Sequence, residues 1–126
     1  MADEVRTDLK YTETHEWLKL KGNVAKVGIT DHAQSELTDI VFVELPAVGK
    51  EIKKGEELCI VESVKSVSEI YAPVSGKVIK VNKQLEDTPE TINKSPYDDG
   101  WLVEIEVKNK VEVDNLLNAD SYKKMI

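Results

Sequence analysis

The chain has 126 residues, and its 24 acidic and 17 basic side chains give a formal net charge of −7. This acidic balance argues against nucleic acid or an anionic membrane as a partner, because both select clustered Lys and Arg. One cysteine excludes a disulfide framework, and no apolar run approaches the roughly 20 residues of a transmembrane helix. Residues 1–10 carry three acids and no apolar core, unlike a signal or Arg-rich transit peptide. We expect a monomeric cytoplasmic protein with a single domain over residues 1–126.

Short apolar runs rich in Val and Ile, separated by Gly and Pro, predict a mainly β protein. Residues 16–20 and 24–29 flank Lys21-Gly22-Asn23 and predict a hairpin with Gly in its loop. Further strands are predicted at residues 39–45, 58–62, 67–71, 77–81 and 101–107. A spacing of about ten residues between strands is typical of a β-sandwich or a barrel.

Short helices are predicted between and after these strands. The first covers residues 31–37 and is capped by Thr30 or Asp31, since Asp31 and the glutamine three residues later have the spacing of a capping box. Further helical segments are predicted at residues 89–93, after Asp114, and from Asp120 or Ser121 through Tyr122. The remainder of the polar stretch over residues 82–100 is expected to be a loop.

Side chains with catalytic potential are few. His15 and His32 lie 17 residues apart with no third ligand type placed beside either, so no zinc site is predicted. Cys59 lies inside an apolar run, which favours a buried thiol over a nucleophile. The glycines are scattered, without the spacing of a phosphate-binding loop. Trp17 and Trp101 are interpreted as core or strand-face residues. The pattern disfavours an enzyme.

The distinctive position is Lys65, which lies between two predicted strands. The simplest interpretation is an exposed lysine at the end of a strand pair. A Schiff-base lysine would need a lowered pKa, whereas the nearby Glu62 and Glu69 favour the protonated ammonium. A modification enzyme that acts on Lys65 from outside is therefore more plausible than a self-activated catalytic lysine.

An ordered series of motifs extends from Lys10 to Tyr122. It contains Thr14-His15-Glu16-Trp17, Val27-Gly28-Ile29-Thr30, Asp39-Ile40-Val41-Phe42-Val43-Glu44-Leu45-Pro46, Val61-Glu62-Ser63-Val64-Lys65, Ala72-Pro73-Val74-Ser75-Gly76, Ser95-Pro96-Tyr97 and Gly100-Trp101. In this order, the motifs resemble the H-protein family of the glycine cleavage system, a family of lipoyl carriers. Two positions depart from the family pattern, since Thr38 and Asp98 stand where Gly is common. Gly often marks a positive φ, so both departures bear on local backbone conformation.

The resemblance implies a fold and a cofactor. The fold is a small biotinyl/lipoyl-type β-sandwich, a flattened barrel-like motif, with short added helices that include a C-terminal one. Its lipoyl-binding core covers about residues 24–106. Lys65 would lie at a hairpin tip and carry lipoic acid as an amide, although the turn Val64-Lys65-Ser66 contains neither Gly nor Asn.

The resemblance also implies roles for particular residues. Glu62 and Gly76 have the family offsets of the residues that the lipoate-attaching enzyme recognises, and Gly76 is otherwise interpreted as an ordinary turn residue. Thr14, Glu16 and Glu69 match a cleft that holds the loaded arm, and Glu16 and Glu69 are otherwise interpreted as solvated strand charges.

The implied function is that of a non-catalytic carrier. It takes the aminomethyl group of glycine from the pyridoxal-phosphate-dependent glycine decarboxylase (P protein) to the tetrahydrofolate-dependent aminomethyltransferase (T protein). Dihydrolipoyl dehydrogenase (L protein) then reoxidises the arm. No metal is expected.

The same residues allow alternative functions. A biotin carrier usually has Met on both sides of its lysine, and an acyltransferase lipoyl domain usually has Asp-Lys-Ala, whereas Val64 and Ser66 flank Lys65 here. Both are disfavoured. A lipoyl donor, or a regulatory binding module for the lipoylation of 2-oxoacid dehydrogenases, would use the same Lys65. A stand-alone enzyme based on Cys59 or Lys65 is the least favoured.

Overall fold

The structure, a computed structural model, describes residues 3–126, and within them it contains two antiparallel sheets and five short helices. The strands are Lys10–Tyr11 (β1), Glu16–Lys21 (β2), Val24–Ile29 (β3), Ile40–Glu44 (β4), Glu51–Ile52 (β5), Glu57–Ser63 (β6), Val67–Tyr71 (β7), Gly76–Val81 (β8) and Val103–Val107 (β9). The helices are Asp31–Leu37 (α1), Gln84–Asp87 (α2), Thr91–Lys94 (α3), Val111–Asp114 (α4) and Ala119–Met125 (α5). None of these helices is long and apolar enough to cross a membrane.

The two sheets pack face to face as a sandwich. The large sheet has the strand order β1-β2-β3-β9-β8-β5, and the small sheet has the order β4-β6-β7. Val27 and Ile105 from the large sheet share one buried cluster with Val43 and Val61 from the small sheet. Along β3 and β9, alternate side chains point into this interior: Ala25, Val27 and Ile29 from β3, and Val103 and Ile105 from β9. The predicted β-sandwich with added short helices is confirmed.

All seven predicted strands are present, with shifts of one or two residues at their ends. The β2–β3 hairpin turns through Gly22, whose φ of 63° is a conformation that glycine adopts without a steric penalty. The sequence did not predict β1 and β5, which contain two residues each. Such short strands are stabilised by pairing with a neighbour, and a two-residue segment has no periodicity from which to predict them.

The first helix begins as predicted but is capped differently from a capping box. Thr30 is the N-cap, and its hydroxyl accepts a hydrogen bond from the main-chain N–H of Ala33 at 3.2 Å. The Gln34 side chain donates to the Asp31 carboxylate at 2.8 Å. The predicted capping box between Asp31 and Gln34 was therefore wrong. Their side chains hydrogen-bond each other, whereas in a capping box each would bond the main-chain N–H of the other residue.

The polar stretch over residues 82–100 contains two helices, α2 and α3. Each is anchored by one fully buried apolar side chain, Leu85 in α2 and Ile92 in α3. The predicted turn at residues 89–93 overlaps α3, whereas α2 was not predicted. One apolar residue in a polar segment gives no helical periodicity, so only the packing of Leu85 reveals its role.

The C-terminal region differs from the prediction. Helix α4 ends at Asp114 rather than beginning after it, and Leu117 instead pairs with Tyr11 through two main-chain hydrogen bonds of 2.8 Å. Helix α5 begins at Ala119, one residue before the predicted start, because the Asn118 side chain caps it. Its Tyr122 ring stacks on Tyr11 with centroids 4.6 Å apart.

The two tryptophans have different environments. Trp17 is fully buried, and its indole N–H donates to the carbonyl of Pro96 at 2.9 Å. Trp101 is half-buried, with the ammonium groups of Lys26 and Lys80 5.4 and 5.7 Å from its ring centroid. Trp17 is therefore a core residue, one of the two predicted alternatives, whereas Trp101 lies two residues before β9 begins.

The two departures from glycine have different consequences. Thr38 has φ 64° and ψ −148°, a combination that is essentially restricted to Gly. Asp98 does not have positive φ, and its carboxylate accepts a hydrogen bond from the Arg6 guanidinium at 3.0 Å. Backbone strain is therefore found at Thr38 alone of these two positions.

Candidate functional site

Lys65 is exposed at the tip of the hairpin that joins β6 to β7. The buried Ser63 organises this tip, because its hydroxyl oxygen accepts hydrogen bonds from the main-chain N–H groups of Lys65 at 3.2 Å and of Ser66 at 3.1 Å. The Ser63 N–H also donates to the Ser66 carbonyl at 2.8 Å. A serine side chain thus supplies the turn chemistry that Gly or Asn would supply in other hairpins.

Apolar side chains and one acid surround the hairpin tip. Val64 and Val67 are 67% and 64% exposed. Glu62 pairs with Phe42 on β4 and with Val67 on β7, so these three side chains form a row across the small sheet. Within residues 3–126, no carboxylate forms an ion pair with Lys65. The ε-ammonium group is therefore accessible to an approaching enzyme.

Gly76 lies in the large sheet, at the start of β8, and not in a turn. It pairs with Val107 on one side and with Ile52 on the other. A Cβ at this position would lie 2.1 Å from the carbonyl oxygen of Glu106. The interpretation of Gly76 as a turn residue is therefore wrong, and close packing against β9 requires glycine here.

Glu16 is almost completely buried, with 1% of its surface exposed. One carboxylate oxygen accepts hydrogen bonds from the hydroxyls of Thr12 at 2.6 Å and Thr14 at 2.5 Å. The other oxygen accepts from the main-chain N–H of Tyr71 at 3.3 Å. The turn that presents both hydroxyls ends at His15, which has a positive φ of 71°. The interpretation of Glu16 as a solvated charge is wrong.

The electrostatics of Glu16 follow from this burial. Desolvation raises the pKa of Glu16 above its ordinary value, while the hydrogen bonds from Thr12, Thr14 and Tyr71 oppose the shift. All of these donors are neutral groups. In the described part of the chain, Glu16 forms no ion pair with a lysine, arginine or histidine. A buried carboxylate without a cation favours the arrival of one.

Two adjacent hollows lie beside the turn before β2 and the strand β7. The first, which we call the inner cleft, has a volume of about 460 Å³ and is lined by Glu16, Lys54, Leu116 and Leu117 among others. The second, which we call the outer groove, has a volume of about 520 Å³ and lies beside the hairpin-proximal part of β7. Both hollows are lined by Glu13, Thr14 and Tyr71, which therefore form their junction.

The outer groove extends from the Lys65 hairpin towards the inner cleft. Val67, Glu69 and Tyr71 all line it, and they share one face of β7 because side chains alternate along a strand. Glu69 is exposed on this face, and the Tyr71 hydroxyl donates to its carboxylate at 2.8 Å. At a rise of roughly 3.3 Å per residue, Glu69 lies about 7 Å along β7 from Val67, the first residue of the strand after the Lys65 turn.

The structure thus places Thr14, Glu16 and Glu69 in the lining of two adjacent hollows, and their role in holding a loaded arm stays a prediction. Sequence reasoning missed Thr12 and Tyr71, which hydrogen-bond the two carboxylates. The position of Tyr71, two residues after Glu69 on a predicted strand, was a usable signal. Nothing in the sequence linked Thr12 to Glu16, since a turn with a positive-φ histidine joins them.

The cysteine and the two histidines form neither a nucleophilic nor a metal-binding site among the described residues. Cys59 is buried, and desolvation raises the pKa of its thiol far above the ordinary value, which disfavours the thiolate. The rings of His15 and His32 lie 4.8 Å apart, and burial together with His32 lowers the pKa of His15. Among residues 3–126, no three His, Cys, Asp or Glu side chains are grouped so as to hold a metal ion.

Comparison with known proteins identifies the family to which this sandwich belongs. The family model described as Glycine cleavage H-protein matches residues 9–126. The chain belongs to the glycine cleavage H-protein family. The glycine cleavage system H protein of Staphylococcus haemolyticus is 55% identical over 122 residues, with 97% of each chain covered. That of Halalkalibacterium halodurans is 56% identical over 119 residues, with 94% of this chain and 93% of the relative covered.

A solved H-protein structure has the same fold. The crystal structure of a glycine cleavage system H protein from Mycobacterium marinum superimposes with a TM-score of 0.85 at 38% identity. The match covers 95% of this chain and 97% of that one. The sandwich is therefore the lipoyl-type β-sandwich of the H-protein family, as the resemblance implied.

Proposed function

We propose that this chain is the lipoyl carrier of a glycine cleavage system, with lipoic acid attached as an amide to Lys65. Membership of the H-protein family supports the carrier function. The observation that carries the proposal is the exposed Lys65 ammonium group, which stands at a hairpin tip ordered by Ser63 and has no ion pair among residues 3–126. These residues fit a long acyl arm, because Val64 and Val67 offer apolar surface beside its point of attachment.

Glu62 and Gly76 are the proposed determinants of recognition by the lipoate-attaching enzyme. Glu62 lies half-buried in the row with Phe42 and Val67, three residues before Lys65, so an enzyme at the hairpin tip contacts it. Gly76 contributes indirectly, because it allows β8 to lie close to its neighbour β9 in the large sheet, which faces the sheet that carries Lys65.

The two hollows give the arm a route and a binding site. When bound, the lipoyl group supplies a sulfur that accepts the aminomethyl unit. That unit carries an ammonium group, which the buried Glu16 carboxylate attracts in a site of low dielectric. Thr12 and Thr14 hold Glu16 in place, and Leu116 and Leu117 help to exclude water from the inner cleft. Glu69 offers a second carboxylate in the outer groove.

The chain itself supplies no catalytic group in this proposal. It moves between the glycine decarboxylase, the aminomethyltransferase and dihydrolipoyl dehydrogenase, and the covalent tether raises the local concentration of the cargo at each enzyme. The buried Cys59 is consistent with a carrier that leaves catalysis to its partner enzymes, because burial keeps its thiol protonated and unreactive.

Reconstitution tests the proposal. Lipoylated protein is mixed with the three partner enzymes, glycine, tetrahydrofolate and NAD⁺, which reoxidises the arm through dihydrolipoyl dehydrogenase, and the release of CO₂ and ammonia is measured. We expect turnover with the wild type and none with Lys65→Arg, which keeps the positive charge but cannot be lipoylated. A parallel assay measures transfer of the lipoyl group to a 2-oxoacid dehydrogenase domain. Transfer without glycine turnover would overturn the proposal in favour of a lipoyl donor.

A further inference from the structure

Tyr71 connects the two carboxylates of the candidate site. Its hydroxyl donates to Glu69 at 2.8 Å, and its main-chain N–H donates to Glu16 at 3.3 Å. In the part of the chain that the structure describes, no other residue hydrogen-bonds both of these side chains. Tyr71 also lines both the inner cleft and the outer groove, so any group that moves between the hollows passes it.

The junction at Tyr71 is negatively charged. Glu13 and Glu69 line the outer groove, and its one basic side chain is His15, whose pKa is lowered by burial and by His32. The inner cleft adds the buried Glu16, and its basic side chain is the exposed Lys54. A cationic group is therefore favoured along the whole path, and anionic groups are disfavoured.

The Tyr71 side chain has two features that suit a primary ammonium ion. A phenol ring attracts a cation to its face, and Tyr71 is half-buried, so solvent screens this attraction only in part. Its hydroxyl remains a donor to Glu69, because this contact raises the pKa of the phenol. This solvent-exposed hydrogen bond places the Glu69 carboxylate at the hydroxyl end of the Tyr71 ring.

We propose that Tyr71 is a positioning residue, which fixes the Glu69 carboxylate at the junction and offers its ring face to the ammonium group of the arm's cargo. This inference rests on the proposed carrier function and deepens it. The cargo ammonium passes from Glu69 to Glu16 across the Tyr71 ring. It remains within reach of a carboxylate or a ring face throughout this passage.

Two variants separate the functions of the hydroxyl and the ring. Tyr71→Phe keeps the ring but releases Glu69, and Tyr71→Leu removes both features while the main-chain bond to Glu16 is retained. The lipoylated proteins are loaded by the decarboxylase, purified, and followed by the release of formaldehyde, which hydrolysis of the cargo produces together with ammonia. We expect release about threefold faster for Tyr71→Phe and about tenfold faster for Tyr71→Leu than for the wild type.

A second measurement distinguishes positioning from a general structural effect. Added methylammonium competes with the cargo for the site, so it accelerates release from the wild type but has little effect on Tyr71→Leu. The rate of Lys65 lipoylation should be equal in all three proteins. A purely structural defect would instead lower lipoylation and leave the competition unchanged, which would overturn the assignment.

Free aminomethyl-lipoamide serves as the reference for unprotected cargo. A wild-type protein that releases formaldehyde as fast as this reference would contradict the proposed protective cleft itself. A protected wild type with equally protected Tyr71 variants would overturn the inference about Tyr71 alone. If Tyr71→Leu does not fold, Tyr71→Phe decides, because a rate equal to the wild type contradicts the positioning of Glu69.

Discussion

The carboxylate of Glu16, on β2 of the large sheet, accepts a hydrogen bond from the main-chain N–H of Tyr71, on the edge strand β7 of the small sheet. This bond of 3.3 Å joins residues that are 55 positions apart and closes the sandwich at one end. It also satisfies an edge N–H that would otherwise need water. A buried charge thus joins the sheets while one side of it remains available to the inner cleft.

Replacing Glu16 tests its contribution to protection of the cargo. Glu16→Gln removes the negative charge while it keeps the size of the side chain, so we expect hydrolysis of the loaded arm to accelerate about tenfold or more. Formaldehyde release from the loaded protein measures this rate. Glu44→Gln is the matched control, because Glu44 is exposed on β4 and lines neither hollow. Equal half-lives of wild type and Glu16→Gln would contradict the assignment.

The same residue predicts a pH dependence of stability. Burial raises the pKa of Glu16 in the folded state, so the folded protein binds its proton more tightly than the unfolded chain does. The contribution of Glu16 to stability therefore falls as the pH rises from the ordinary glutamate pKa through the raised folded value. The side chain of Glu16→Gln does not titrate, so this variant does not lose stability in this way as the pH rises.

Denaturant unfolding of both proteins between about pH 4 and about pH 7 checks this sign. The free energy of unfolding of Glu16→Gln minus that of the wild type should increase as the pH rises, so that the variant becomes more stable relative to the wild type. A constant difference across this range would show that Glu16 ionises normally. The amide also loses one acceptor for the Tyr71 N–H, but that loss is independent of pH.

Thr38 is a position where a substitution should stabilise the protein. Its φ of 64° and ψ of −148° cost a threonine about 1–3 kcal/mol. Thr38→Gly relieves this strain and keeps both main-chain contacts, the N–H to Gln34 and the carbonyl to Asn93. Glycine has greater entropy in the unfolded chain, which offsets part of this relief. We therefore expect the free energy of unfolding to rise by about 1 kcal/mol.

Thermal melting measures this gain as a rise of about 4 °C in Tm. Thr38→Ser is the control, since it keeps the Cβ that causes the strain and should melt near the wild type. A Thr38→Gly protein that melts at or below the wild-type temperature would show that residue 38 is not strained.

Gly76→Ala tests whether Gly76 acts through packing. The added methyl group would lie 2.1 Å from the main-chain oxygen of Glu106, so β8 and β9 must separate at a cost of about 2 kcal/mol or more. Gly55→Ala is the comparison, because Gly55, unlike Gly76, has open space around it but a φ of 87°. It should lose only about 1 kcal/mol to backbone strain.

Denaturant unfolding compares the two glycine variants, and the lipoylation rate is measured where both are folded. A lipoylation rate per folded molecule that falls in Gly76→Ala but not in Gly55→Ala would support recognition through the packing that Gly76 permits, and equal rates would contradict it. If Gly76→Ala is as stable as Gly55→Ala, Gly76 does not pack closely against the main chain of Glu106.

Local chemistry made much of the sandwich predictable. Apolar runs marked the longer strands, and Gly22 marked the β2–β3 turn because its conformation is intrinsic to glycine. The Lys65 turn could not be derived in this way, since it depends on how the Ser63 hydroxyl is directed. The C-terminal boundaries also failed, because the pairing of Leu117 with Tyr11 spans most of the chain.

The site was less predictable than the fold. An isolated glutamate in a polar segment is normally exposed, and the burial of Glu16 arises only when Thr12 and Tyr71 converge on it. The family resemblance supplied Glu16 and Glu69, which residue-level reasoning alone would have treated as surface charges. Contacts between distant segments carry this information, and one sequence does not contain it.

The intact mass of the protein, produced with lipoate and a competent attaching enzyme, tests the carrier assignment most directly. We expect an increase that matches a single lipoyl group in the wild type and in Lys53→Arg, a control at an exposed lysine outside the hairpin. Lys65→Arg should retain the unmodified mass. An unmodified wild type, or a lipoyl group that persists in Lys65→Arg, would contradict the assignment of Lys65 as the attachment site.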